Sequence, residues 1–342
     1  MLFQTLPCLL AVSFATLALG KGHQQAPIST LYQFPLGSWL ENIEIGPSNT
    51  LLTTRIDIPA LYQITVPTSK HPQPAAATLI QTFPNASGVL GITNFKKDHY
   101  AVVVGNFSLA TSQSTPGSYS IWDVDLSGPS SDPVSATKIT DIPEAAFLNG
   151  LTTLNPIRRH SQPLLLISDS QAGAVFSLDP ETGKYDIIHD DETMAPANGT
   201  NIGINGLHPV VIGKETFLYY TNSLKETVNR VKINPVTGKA TGPYTTIATG
   251  VWGDDFAYDT KKQDLYITGN FEDVVTKLSL TGAVEGVIGS ETEMTVAGAT
   301  SGVFGGDRGR TLFVATGGAL AAPVNGTVTE GAKIVAIRVD EL

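Results

Sequence analysis

Apolar and polar residues alternate along most of this chain, and the alternation restarts six times. Each restart carries a short phrase: Leu40-Glu41-Asn42-Ile43, Ala86-Ser87-Gly88-Val89, Leu148-Asn149-Gly150-Leu151, Ile204-Asn205-Gly206-Leu207, Gly253-Asp254-Asp255-Phe256 and Thr300-Ser301-Gly302-Val303. Counted on the polar second residue of each phrase, the intervals are 46, 62, 56, 49 and 47. About ten residues later comes an apolar, β-rich run such as Ala101-Val102-Val103-Val104 or Leu164-Leu165-Leu166-Ile167. A third, alternating run follows, as in Val228-Asn229-Arg230-Val231, and a fourth precedes the next phrase, as in Ala77-Thr78-Leu79-Ile80. Period-two alternation bounded by Gly, Pro, Asn and Asp predicts strands, and no segment carries a long amphipathic helix. Four strands per unit and six units predict an all-β, six-bladed propeller with antiparallel blades.

The ends of the chain predict how the ring closes. Residues 30–35 read like the fourth-strand segment 78–84 but have no blade before them. They are expected to form the outer strand of the last blade, beside residues 334–338, which pairs an edge that would otherwise lie open. Residues 1–20 read as a secretory signal. Residues 9–19 form an apolar core too short to span a bilayer, and Ala18-Leu19-Gly20 is a small-x-small cleavage site. The expected organisation is a leader at 1–20, a linker at 21–29 and one propeller domain at 30–342, secreted or held in the secretory lumen, without membrane attachment and monomeric or weakly associated.

Composition narrows the chemistry. The only cysteine is Cys8, inside the leader, so the mature chain has no thiol nucleophile, disulfide or thiolate metal site. A formal charge of −10 without a basic cluster argues against nucleic acid as a partner. Sequons stand at Asn85, Asn106, Asn198 and Asn325, with Asn85 expected to be the most enclosed. There is no Gly-x-Ser-x-Gly elbow, His-Glu-x-x-His pair or phosphate-cradling loop.

In a propeller the first strand of each blade lines the central channel, so the six phrases converge on one axis. Glu41, Asn149, Asn205 and Asp254 are the expected catalytic set. Glu41, Asn205 and Asp254 offer oxygen ligands only, which suits a hard ion such as Ca²⁺. The competing reading is that these groups hydrogen-bond one another and channel water. Asp255 is expected to point away from the channel and bond backbone at the blade edge, and His208 to face away from Asn205, both by strand alternation. Trp39, Phe147, Trp252, Phe256 and Ser301 are expected at the channel mouth as an apolar substrate cup, with inter-blade core as the alternative.

The pattern resembles the SMP-30/gluconolactonase-like propellers across residues 30–342. That resemblance implies Glu41, Asn205 and Asp254 as metal ligands and Asn149 as a substrate contact. The chain departs from the family where Asn42-Ile43 follows Glu41 in place of a proline-containing sequence, and where Asp255 follows Asp254 in place of Gly. Trp39-Leu40-Glu41-Asn42 and Asp254-Asp255-Phe256 are similar to a fungal branch that includes the hetero-Diels–Alderases of tropolone sesquiterpenoid biosynthesis. The resemblance implies dehydration of a hydroxymethyl tropolone to a quinone methide, then cycloaddition to a humulene-type terpene. Such a reaction needs small apolar substrates and no cofactor. The alternatives are a divalent-metal-dependent lactonase or ester hydrolase and a non-catalytic ligand-binding propeller.

Overall fold

The computed structural model describes residues 28–67, 73–129, 133–154, 162–306 and 309–339. The expected leader lies outside these residues. Six four-stranded antiparallel sheets surround one axis. The innermost strands are Leu40–Ile45, Gly88–Lys96, Leu148–Leu154, Ile204–Ile212, Phe256–Asp259 and Ala299–Gly305. The outermost strands alternate exposed and half-buried residues, whereas the second strands are almost wholly buried, as in Leu164–Asp169. Apolar contacts between neighbouring blades form the core; Leu90, Ile121, Leu148 and Ile167 of blades two and three share one cluster.

The ring closes through its N-terminal strand. Ile28–Leu36 is the outer strand of blade six and pairs antiparallel with Gly331–Arg338. The expected partner strand is right. Thr30 lies opposite Val335 and Gln33 opposite Lys333, and two irregularities interrupt the ladder. Residues 28 and 29 belong to this strand and not to a linker.

A bulge near the start of the inner strands sets the channel. Leu40 faces Arg55 while Ile43 faces Thr53, so three steps on the inner strand match two on its neighbour. The same slip occurs at Val89–Ile92, Leu148–Leu151 and Ile204–Leu207. An extra residue of this kind breaks strict alternation. This register makes Glu41, Leu90, Asn149, Asn205, Asp254 and Thr300 equivalent. Blade two therefore presents Leu90, not Ser87, and blade six presents Thr300, not Ser301. Ser87 lies outside the ring and exchanges hydrogen bonds with Phe107. The long interval before Asn149 is taken up by the small hairpin of Phe107–Ser108 and Gln113–Ser114.

A repeated hydroxyl contact joins the blades at this ring. Thr54 donates to the Leu90 carbonyl (2.6 Å), Ser168 to Asn205 (2.6 Å), Thr221 to Asp254 (2.7 Å) and Thr268 to Thr300 (2.8 Å). Each donor sits on the second strand of one blade and each acceptor on the inner strand of the next or, for Asp254, two residues before it. Val103 and Ala315 occupy this position in blades two and six. At the seam between blades six and one, the Thr300 hydroxyl reaches the Leu40 carbonyl instead (2.8 Å).

Thr221→Val keeps the shape of a fully buried side chain and removes one of these contacts. The Asp254 carbonyl keeps the Gly206 amide at 2.9 Å, so it is not left unpaired and the expected destabilisation is about 0.5–1.5 kcal/mol. Denaturant unfolding of the two proteins measures it.

Candidate functional site

The bulge turns two successive residues of each blade toward the axis, so the channel has two polar layers. The outer layer holds Glu41, Asn149, Asn205 and Asp254, each only 6–8% exposed. Asn205 Nδ2 donates to Asp254 Oδ1 at 2.6 Å, and Asn270 Nδ2 donates to Asp254 Oδ2 at 3.0 Å. Trp39 Nε1 donates to Glu41 Oε2 at 2.8 Å. Burial is the main force raising the Glu41 carboxyl, to about 7; the Trp39 bond opposes it and the Asp255 charge adds to it. Burial likewise lifts Asp254 well above the usual carboxylate range, reinforced by the Glu41 charge. Two buried acids that repel one another need a proton or a cation between them.

The outer layer fits a hard cation chemically. Its donors are carboxylate and carboxamide oxygens, and Asn270 Oδ1 is buried without a hydrogen-bond partner. Among the described residues no group of three or more His, Cys, Asp and Glu side chains forms a metal site. An ion here would therefore rest on the two carboxylates and on amide oxygens.

The inner layer holds Asn42, Asp255 and Ser301, with glycine at the equivalent places in blades two, three and four. Asp255 Oδ2 accepts from Asn42 Nδ2 (3.1 Å) and from the Ser301 hydroxyl (3.0 Å). Its Oδ1 accepts from the Phe256 amide (2.8 Å) and lies 3.3 Å from His208 Nε2. The expectation that Asp255 serves only a blade edge is thereby corrected. His208 also faces the channel and not away from it, because the bulge between Ile204 and Leu207 cancels the alternation. Burial alone would lower the His208 pKa, but the Asp255 hydrogen bond and charge outweigh it, so the imidazole is raised overall.

Beyond the inner layer, a cavity of about 590 Å³ opens between the inner strands of blades three to six, with Glu44 of blade one also on its lining. Glu44, Thr152 and His208 stand at its polar end, and Leu154, Tyr258 and Phe304 line its walls. This arrangement separates the expected aromatic cup. Phe147 stacks on Phe107 at 5.0 Å, and Trp252 packs on the exposed Phe271 at 4.7 Å; with Trp39 they flank the outer layer. Phe256 borders the cavity at the other end, its ring edge-on to His208 at 4.9 Å. Ser301 is 1% exposed and bonded to Asn42 and Asp255, so it holds the inner layer together and is not open to a substrate. Sequence reasoning missed Asn42, Glu44, Thr152 and Asn270. The one available signal was the Asp254-Asp255 pair, whose second acid needs partners of its own.

No family model matches the chain. Two curated proteins, both carrying a candidate assignment as hetero-Diels-Alderases, are similar to it. The one from Phoma sp is 27% identical over 71% of this chain and 72% of its own length. The one from Sarocladium schorii is 23% identical over 68% of this chain, a match that spans 61% of that protein. Among solved structures, the calcium-binding protein regucalcin from Agrobacterium tumefaciens superposes with a TM-score of 0.62 at 12% identity, covering 92% of this chain and 95% of its own. A luciferin-regenerating enzyme gives 0.63 at 14% identity, covering 91% and 95%. A candidate gluconolactonase gives 0.57 at 14% identity, covering 93% of each. The structural likenesses establish the six-bladed fold, and the resemblance to hetero-Diels–Alderases holds at the level of sequence.

Two outcomes follow from the layers. A Cβ at Gly206 would lie 2.1 Å from Asp255 Oδ1 and 2.5 Å from its Cα, so backbone must move. Gly206→Ala is expected to cost about 1–3 kcal/mol and to displace Asp255 from His208, read by denaturant unfolding and by the imidazole NMR signal. The raised Glu41 pKa also has a pH signature. Between about 4.5 and about 7 the folded chain binds more protons than the unfolded one, so this group's stabilisation is complete at the acid end and lost toward pH 7. In EDTA, stability should fall across that window as pH rises, and Glu41→Gln should flatten the slope.

Proposed function

We propose that the chain is a cyclase of hetero-Diels–Alder type, joining a tropolone quinone methide to a humulene-type terpene. The observation that carries this reading is the similarity, over about two thirds of the chain, to two proteins with that candidate assignment. The geometry agrees with it. A cycloaddition needs two apolar partners in one near-attack pose, which can supply several kcal/mol of barrier lowering. A cavity of about 590 Å³ falls in the range that encloses drug-sized ligands. Dehydration to the quinone methide needs a proton donor and restricted water, and the channel supplies buried acids and a carboxylate-held imidazole. The proposed reaction uses small apolar substrates and no cofactor. We place the protein in the secretory pathway; contrary to the expectation for Asn85, that residue is exposed, as are Asn198 and Asn325, and Asn106 is the half-buried sequon, all within reach of glycosylation in that setting.

The outer layer favours a second reading. Glu41, Asn205 and Asp254 would hold a divalent ion such as Ca²⁺, which supplies a Lewis acid for a lactone or ester carbonyl.

One comparison separates the two. Purified protein is given a hydroxymethyl tropolone with a humulene-type olefin, and separately aryl lactones, each with and without EDTA. A faster and stereochemically biased cycloadduct, unchanged by EDTA, is the expected result. Lactone hydrolysis abolished by EDTA, without any effect on cycloaddition, replaces the cyclase with the hydrolase.

A further inference from the structure

The channel carries two sets of titratable groups, and the cyclase reading leaves open which set performs the chemistry. The outer set is occupied with itself: Asp254 accepts from two carboxamides and Glu41 from an indole. The inner set faces a cavity. His208 keeps 33% of its side chain exposed, against 9% for its partner Asp255. Asp255 is fixed by Asn42, Ser301 and the Phe256 amide, so the imidazole is held on a carboxylate that cannot turn away. The other ring nitrogen, Nδ1, lies 3.4 Å from the Thr152 hydroxyl, a long contact that a better acceptor can replace. Glu44 stands at the same end of the cavity and interacts electrostatically with His208. Its carboxylate accepts from the Ile45 and Asn94 amides at 2.7 and 3.3 Å. The other charged groups at the cavity are Asp259, which caps the Lys261 and Lys262 amides, and Lys261. A donor and an acceptor thus converge at one end of a chamber of mixed lining, whose walls include Leu154, Tyr258 and Phe304.

Resting on the cyclase reading, we propose that the reaction takes place in this inner chamber, with His208 as the acid and Glu44 as the proton acceptor of the dehydration. The carbon–oxygen bond of the hydroxymethyl group breaks. Its electron pair leaves with oxygen, which takes the His208 Nδ1 proton and departs as water. The ring hydroxyl gives its proton to Glu44, leaving the neutral quinone methide. The proton then returns from Glu44 to His208, so the protein is unchanged. The heterodiene adds to the olefin with one carbon–carbon and one carbon–oxygen bond formed and no further proton moved. The apolar walls at Leu154, Tyr258 and Phe304 hold the hydrocarbon body during that step.

Leaving-group rescue tests the roles. His208→Gln should lower kcat on the hydroxymethyl precursor by about 10²-fold with little change in KM. A precursor with acetate as leaving group, which departs without an acid, should restore the variant to within a few-fold of wild type. Glu44→Gln should slow both precursors, since the ring proton must still leave. Failure of rescue would reduce His208 to a structural part. Loss of activity in Glu41→Gln or Trp252→Ala with none in His208→Gln would move the reaction to the outer layer. Tropolone alone tests the chamber apart from the reaction: it should shift the His208 imidazole resonance. A shift without any cyclisation by wild type keeps the chamber and removes the cyclase, while no shift overturns the chamber.

Discussion

The one-residue slip near the start of the inner strands is the constraint on which this structure depends. Without it, alternation would send Glu41 to the axis and Asn42 into the blade, and Asp254 and Asp255 would part in the same way. With it, consecutive residues enter the channel and one ring becomes two layers. The slip is held in place from outside by hydroxyls. Thr54, Ser168, Thr221 and Thr268 bond the carbonyls that the bulged strands would leave without a ladder partner. Such a contact is worth about 0.5–1.5 kcal/mol, and at Asp254 it is shared with the Gly206 amide. The geometry of the site is thus tied to contacts between blades.

Two layers bring four acids, Glu41, Glu44, Asp254 and Asp255, close enough to act on one another. Each is kept by a different device. Asp254 has two carboxamides, Glu41 an indole and Glu44 two backbone amides. Asp255 has an imidazole, a carboxamide, a hydroxyl and a backbone amide. The difference matters chemically. Burial with few counter-charges raises Glu41 and Asp254 and favours their protonated forms or a cation. The direct Asp255 contact instead favours the protonated imidazole against the pull of burial. One channel therefore holds acid groups of two kinds at two depths.

Much of the fold was legible because it is written in spacing. Six repeats, four strands in each and an unpartnered N-terminal strand are features of period, and period survives substitution. The misplaced features are those in which register departs from period. The ring residue of blade two is Leu90, invisible to a search for polar markers, so Ser87 stood in its place. In blade six Thr300 and Ser301 are both polar, and only the ladder to Ala315 and Thr316 separates them. His208 and Asp255 were turned the wrong way by an alternation rule that a bulge suspends. Phe256 was grouped with Trp39 and Trp252 because all three stand near markers, yet one layer along the axis divides them. Within the outer layer the residue types were readable, but their partners were not: Asn270 lies sixteen residues beyond Asp254, in the turn just after the neighbouring strand Asp264–Gly269 of the same blade.

The departures from the lactonase-like pattern fall where the inner layer is built. Asn42 and Asp255 follow Glu41 and Asp254, and these two residues bond one another across the ring. Asp255 needs room, which Gly206 provides by lacking a Cβ, and it needs a cation or donors, which His208, Ser301 and the Phe256 amide provide. A carboxylate placed here alone would be a buried, uncompensated charge, costly enough to threaten folding. Its presence with a complete set of partners means that the inner layer works as a unit. Adding it converts a position that would be glycine into the anchor for an imidazole facing an open cavity. The outer ring of oxygens is left intact, so one propeller holds carboxylate and carboxamide donors at one depth and a carboxylate-held imidazole at another.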